Sequence, residues 1–218
     1  YLMDSLLPLP DLDAIHLISN ARNYSTFLQW QRRWQPRLAA ADIAMHIHND
    51  GARDNQSRLG ACADLAVALE RAPGWNSALV SAGDNLYRFP LAPLWRRFRV
   101  QTHHCVTVLR EPDLAKRRRS GVALLGKDDR LLQLQEKPHH PRSHWICLPL
   151  YFLRPSAEAI LGEILQGAST PPDAPGHFIA GLCRREPVRA LKPTGDRLNI
   201  GNLEDYRDAE RQMRQAVP

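Results

Sequence analysis

What the chain lacks bounds it first. Its four cysteines (Cys62, Cys105, Cys147 and Cys183) are widely spaced, with no CxxC pair. That argues against a dithiol or zinc-ribbon motif and predicts buried, free thiols in a reducing, cytoplasmic setting. No apolar run approaches the roughly 20 residues that span a bilayer, so no membrane partner is expected. No stretch reads as a signal peptide. Internal repeats, low-complexity tracts and linker-like composition shifts are also missing. The net charge is +6 with a pI near 9.5, which suits anionic ligands. Yet no helix carries a basic stripe interleaved with aromatics and no nucleic-acid-binding motif is present, so nucleic acid is not an expected partner. The basic runs Arg32-Arg33, Trp95 to Arg99 and Lys116 to Arg119 read as solvated surface.

What is present is ordinary for a folded protein: 44% hydrophobic and 24% charged residues over 218 positions. That is enough chain for one domain (1–218) burying roughly 70% of its unfolded surface. Strand-like and helical patterns alternate from the start. Strands are expected at Asp13–Ser19, Asp42–His48 and Asn76–Ala82, with helices at Tyr24–Trp34 and Ser57–Glu70, Ser57 serving as cap. This alternation predicts βαβ units and a mainly parallel sheet. Further on, strands are expected at His104–Leu109, Trp145–Leu153 and Val188–Leu191, with a hairpin of Gly121–Leu125 and Arg130–Gln135. Helices follow at Pro155–Leu165, Ala174–Arg185 and Leu203–Gln215. The stretch Ser169 to Gly176, rich in proline, reads as a surface loop.

Four segments carry candidate chemistry. The apolar run from Ala78 ends in Gly83-Asp84-Asn85, and ligands of open α/β sheets sit beyond the carboxyl ends of strands. A carboxylate there, with Gly83 leaving room for a phosphate, is a candidate ligand for a hard cation such as Mg²⁺. The plainer alternative is Asp84 capping a following helix. After Gly121-Val-Ala, the hairpin returns to Glu136-Lys137-Pro138. Glu136 there can accept hydroxyl hydrogen bonds and Lys137 can pair with a phosphate; an ordinary surface hairpin is the alternative. Gly60, near a helix start, can press backbone against a flat ring or simply pack helix on sheet. Asn199-Ile-Gly201 precedes the last helix, which Asn202 would cap.

Taken in order, GDN, Gly121-Val, Glu136-Lys-Pro138, the strand around Tyr151 and Asn199-Ile-Gly-Asn-Leu-Glu-Asp-Tyr206 resemble the sugar-phosphate nucleotidyltransferase family (NDP-sugar pyrophosphorylase-like). The resemblance runs from Tyr1 to about Arg214. It is closest to a bacterial subgroup through Asn49-Asp-Gly51, Arg58-Leu-Gly60 and Pro172-Asp-Ala-Pro-Gly-His-Phe178. It implies a three-layer α/β/α sandwich with a mixed sheet, and transfer of a nucleotidyl group from an NTP to a sugar 1-phosphate, giving an NDP-sugar and pyrophosphate. It also implies that Asp84 holds Mg²⁺, with position 199 as second metal ligand. Gly60 would lie against the base, Gly121 and Glu136 against the sugar, and Lys137 against its phosphate. Gly83, Asn85 and Tyr151 would be further substrate-binding positions, and a homo-oligomer is compatible.

The chain also departs from the family pattern. The family's first strand and glycine-rich phosphate loop have no counterpart, which predicts a fragment whose sheet lacks a central strand. Asn199 stands where a second metal-binding aspartate is usual, Pro149 where glycine is, and Ser120 where tyrosine is. The alternative expectation is a member that binds a nucleotide sugar or a protein partner without turnover. The histidine clusters at 46/48, 103/104 and 139/140/144 read as surface or satisfied side chains, since no accompanying ligand spacing supports zinc.

Overall fold

A computed structural model describes residues 1–167 and 174–215. Part of the expected 169–176 loop, with Pro172 and Asp173, lies outside them. In chain order the elements are α1 (Leu2–Leu6), β1 (Ala14–Ser19), α2 (Tyr24–Ala40), β2 (Ala44–Asn49), α3 (Ala61–Glu70), β3 (Ala78–Ser81), β4 (Asn85–Tyr87), α4 (Leu91–Arg99), β5 (His104–Arg110), α5 (Leu114–Arg118), β6 (Gly121–Leu125), β7 (Leu131–Glu136), β8 (Trp145–Leu153), α6 (Ser156–Gly167), α7 (Pro175–Leu182), β9 (Val188–Leu191), β10 (Arg197–Asn199) and α8 (Leu203–Gln215). Among the described residues, no helix is long and apolar enough to cross a membrane.

The architecture is the expected α/β/α sandwich on a mixed sheet, and β8 is its spine. Its residues alternate by face as a strand buried on both sides must. Cys147, Tyr151 and Leu153 join one core with α3, α6 and α7. Ile146, Leu148, Leu150 and Phe152 join a second core with α1 and α4. Along one edge β8 pairs with β5, which in turn pairs in parallel with β9. Along the other edge it carries two strands end to end, β3 on Leu150–Leu153 and β6 on Trp145–Cys147, both antiparallel to it. The parallel share is smaller than the sequence alternation suggests: the hairpin β6–β7 and the long strand β8 impose antiparallel ladders through the second half.

The parallel pair β1–β2 forms a separate two-stranded sheet, packed on α2 through Met45, Ile47 and Leu38. Among the described residues, no ladder joins it to the main sheet. The family resemblance puts its missing first strand in the middle of the sheet, and the described strands fall into separate sheets.

Local differences from the expected elements have identifiable causes. The helix expected from Ser57 begins only at Ala61, because Gly60 stands at the cap with φ +88°. Ser57 instead closes a turn in which Asp54 Oδ1 accepts from the Gln56 and Ser57 N–H groups at 3.0 and 2.9 Å. GDN is followed by the short strand β4 rather than a helix, so Asp84 is not a helix cap. Two residues of the basic run are anchored: Arg117 Nη1 donates to Ser143 O at 3.1 Å and Arg118 Nε to His139 O at 3.0 Å, tying down the loop after Lys137.

Candidate active site

The site lies where the edge of β8 passes from β3 to β6. Ser81, the end of β3, pairs with Leu150, and Gly121, the start of β6, pairs with Cys147. Those partners are three residues apart, so the strand ends are separated by roughly 10 Å along the edge. Pro149 occupies the break. It accepts from Ala82 N–H at 3.1 Å but has no N–H to return, so the ladder stops there. The orphaned Ala82 carbonyl accepts from Ser81 Oγ at 3.1 Å, and Tyr87 Oη donates to Pro149 O at 3.1 Å. Burial pushes the Tyr87 phenol up to about 12, so it remains a protonated donor.

On the β3 side the chain leaves the sheet at Gly83, where an added Cβ would meet open space. Asp84 is exposed and Asn85 is buried at 2%. Asn85 Nδ2 donates to Asp84 Oδ1 at 2.6 Å, and Arg197 Nη1 donates to the Asn85 amide oxygen. Strand β10 pairs antiparallel with β4, setting Asn199 opposite Asn85, and Ile200 N–H donates to Asp84 O at 2.8 Å. Gly201 lies between the two candidate metal positions: a Cβ there would be 3.2 Å from Asn199 Nδ2 and 3.8 Å from Asp84 Oδ2. Asp84 and Asn199 thus approach Gly201 from separate segments, one with a carboxylate and the other with a side-chain amide whose Nδ2 faces Gly201 and whose oxygen would be offered by a flip of the amide. Such hard oxygen donors fit Mg²⁺, which takes one or two protein ligands and fills the remainder from water and phosphates. Among the described residues, no group of three His, Cys, Asp or Glu is arranged to hold a metal.

On the β6 side, Glu136 pairs with Gly121 across the hairpin, and a Cβ on Gly121 would lie 3.2 Å from Glu136 Oε2. Burial raises the Glu136 pKa, against the opposing pull of Lys137 and His177. Lys137 is exposed, in a left-handed backbone conformation at φ +44°, its N–H donating to Ser120 O at 3.1 Å. Tyr151 is 4% exposed and forms part of the core beneath the site. Burial holds its pKa well above the usual phenol value, with Cys147, Glu136 and Tyr87 adding to the shift. The Cys147 thiol is likewise pushed up by burial, then by Glu136, with Arg197 pulling the other way.

Gly60 belongs to a third region. The carboxyl ends of β1 and β2 and the 53–58 loop enclose a polar pocket of about 470 Å³ lined by residues that include Arg22, Arg53, Arg58, Asp50 and Asn55; Gly60 follows that loop at the start of α3. Sequence reading missed Arg197, and it met Gly176 and Gly201 only inside motif strings, without a role for either. Their signal depends on β10 reaching β4 and α7 reaching β7, contacts between segments distant in the chain.

The chain belongs to the nucleotidyl transferase family, whose model matches residues 9–216. Its fold is similar to that of apo-UDP-glucose pyrophosphorylase, at 14% identity, a TM-score of 0.73 and coverage of 93% of this chain and 81% of that one. UDP-glucose pyrophosphorylase complexed with UDP-glucose gives 15% identity and a TM-score of 0.74, with the same 93% and 81% coverage. A protein assigned as a glucose-1-phosphate thymidylyltransferase from Bacillus anthracis, in complex with a sucrose, gives 18% identity and a TM-score of 0.69 over 94% and 77% of the two chains. No curated protein sequence matches.

Proposed function

We propose that the protein transfers a nucleotidyl group from an NTP to a sugar 1-phosphate. An oxygen of the sugar phosphate attacks the α-phosphorus in line, the bond to the β-phosphate oxygen breaks, and pyrophosphate leaves, with an NDP-sugar as the other product. The observation that carries this reading is that the segments bearing Asp84 and Glu136 flank one interruption of the sheet edge, in a chain of this family. Alignment and charge neutralisation are what such a reaction asks of a protein. Glu136 accepts hydrogen bonds from sugar hydroxyls beside Gly121, and Lys137 contacts the sugar phosphate. Gly83 leaves space for linked phosphates, Asn85 orients Asp84, and Gly60 with the arginine-lined pocket receives the nucleotide. Asp84 and Asn199 are the side chains that would hold Mg²⁺, which when bound would offset the negative charge of the phosphates. The four free thiols suit a cytoplasmic setting.

The test is pyrophosphate release by the complete protein with a panel of NTPs and sugar 1-phosphates. Asp84→Ala is expected to lower kcat by roughly a hundredfold or more, the effect of losing a carboxylate beside a divalent ion and its phosphates. Asn199→Asp is expected to raise Mg²⁺-dependent turnover. Absence of pyrophosphate release from the unaltered protein with every pair would sink the reading. Tight nucleotide-sugar binding without turnover, in both the unaltered protein and Asn199→Asp, would favour the second reading: a binding protein that the amide at position 199 leaves short of one charge.

A further inference from the structure

Among the described residues, no protein donor hydrogen-bonds the Glu136 carboxylate, although the side chain is half-buried. A desolvated acceptor without a partner is costly, so something other than hydrogen bonding must keep it in place. The glycines around it supply the answer. Gly176 is buried in the first turn of α7. A Cβ built there would lie 1.9 Å from Glu136 Oε2 and 3.0 Å from Glu136 Cδ, whereas the next neighbour, Leu134 Cδ2, would be 3.5 Å away. From β6, a Cβ on Gly121 would meet the same Oε2 at 3.2 Å. The oxygen therefore sits in a slot bounded by two bare α-carbons, one on the sheet and one on a helix.

We propose that Gly176 is a positioning residue for the sugar side of the site: by lacking a side chain, it lets the first turn of α7 seat the Glu136 carboxylate against Gly121, where it receives the sugar hydroxyls. This assignment rests on the sugar-facing reading of Glu136. Alanine at 176 meets only the far end of a flexible side chain, so the fold survives and the carboxylate is what moves. Displaced, Glu136 swings toward solvent, and hydroxyls lose a charged acceptor whose hydrogen bonds are among the stronger kinds.

Two measurements on Gly176→Ala, Glu136→Ala and the double variant decide it. The first is a ¹³C-carboxyl NMR titration of the complete protein, with the Glu136 resonance identified by its loss in Glu136→Gln. Its midpoint is expected above the ordinary carboxylate value in the unaltered protein and back near that value in Gly176→Ala; an unchanged midpoint overturns the seating. The second is steady-state kinetics with the most active NTP paired with glucose 1-phosphate, mannose 1-phosphate or N-acetylglucosamine 1-phosphate. Gly176→Ala is expected to raise KM for the sugar 1-phosphate on the order of tenfold or more and leave KM for the NTP alone. It is expected to add nothing to Glu136→Ala, because the oxygen it would strike is gone. An unchanged sugar KM, or penalties that multiply in the double variant, overturns the proposal. If the unaltered protein turns over no substrate pair, the transferase reading fails with its sugar-side consequence, while the titration still reports whether Gly176 seats the carboxylate.

Discussion

Glu136 sits in tension with the stability of its own fold. Burial raises its pKa from the ordinary 4.5, so the folded state holds the proton more tightly than the unfolded chain does. Its effect on stability therefore turns unfavourable as pH rises from that ordinary value through the raised one, and the penalty is complete above both. Glu136→Gln is expected to raise Tm at pH 7 to 8 and to leave it unchanged below the ordinary carboxylate range, while weakening sugar 1-phosphate binding; thermal melts at the two pH values check this. Glu136, Gly121 and Asp84 were legible as candidates because each marks the end or start of a strongly patterned strand. Gly176 was legible only as part of a family-like string. Nothing in its neighbours along the chain says that a carboxylate 40 residues earlier occupies its missing side chain. Arg197 was hidden for a similar reason, since its partner Asn85 is reached only once β10 lies beside β4.

Long patterned elements were the readable ones, and short or charge-laden ones were not. The bounds of β8, β9 and α8 agree with their hydrophobic patterns, while β4 and β10, three residues each, are too short to show a period. Helix α4 is more instructive. Leu91, Leu94, Trp95 and Phe98 are buried at helical spacing, yet its arginines drew the reading toward surface charge. The helix is held by a residue from the connection between β8 and α6. Arg154 donates to Ser77 Oγ at 2.8 Å, to Phe98 O at 2.9 Å and to Gln101 O, with its guanidinium 4.1 Å from the Phe98 ring centroid. It thereby satisfies carbonyls at and just beyond the carboxyl end of α4, where a cation also suits the helix dipole. Arg154→Met keeps the bulk but removes these side-chain hydrogen bonds, although Phe98 O keeps the Gln101 N–H at 2.9 Å, and is expected to cost about 2–3 kcal/mol in urea unfolding. Pyrophosphate release below the melting range should stay close to that of the unaltered protein.

Across the whole molecule, several histidines are held neutral, which sets a limit on acid tolerance. His16 and His46 sit opposite each other in the β1–β2 register, with His48 two residues on, and His16 Nδ1 lies 2.9 Å from His48 Nε2. Burial lowers the His16 pKa, helped by His46 and His48 and opposed by Asp13; burial lowers that of His48, helped by Arg71 and His46. In the main sheet, buried His104 accepts from Arg154 N–H at 3.2 Å through Nδ1 and contacts Glu186 Oε2 at 2.8 Å through Nε2. Burial keeps its pKa below the ordinary value despite that carboxylate. Each lowered pKa contributes stability that is present above the unfolded value of 6.5 and is lost as pH falls through the folded one. Tm is therefore expected to start dropping as pH falls below about 6.5, before most carboxylates titrate. Replacing His16, His46 and His48 together by Asn should remove part of that slope, as melts across the range would show. Alternating patterns made the α/β class legible and the family resemblance implied the sandwich; a missing central strand was expected only because the family's first strand has no counterpart here, since pairing across a gap leaves no local trace.

Pro149 counted in the sequence only as a departure from the family pattern, and its place in the sheet gives it another meaning. With an ordinary residue at 149, the amide hydrogen would be free to meet the Ala82 carbonyl, and the ladder would have the means to continue toward β6. Gly83 and Asp84 would then be drawn into the plane of the sheet. One absent hydrogen atom sets how far this surface can knit itself together, and keeps open the seam through which an acidic group reaches solvent.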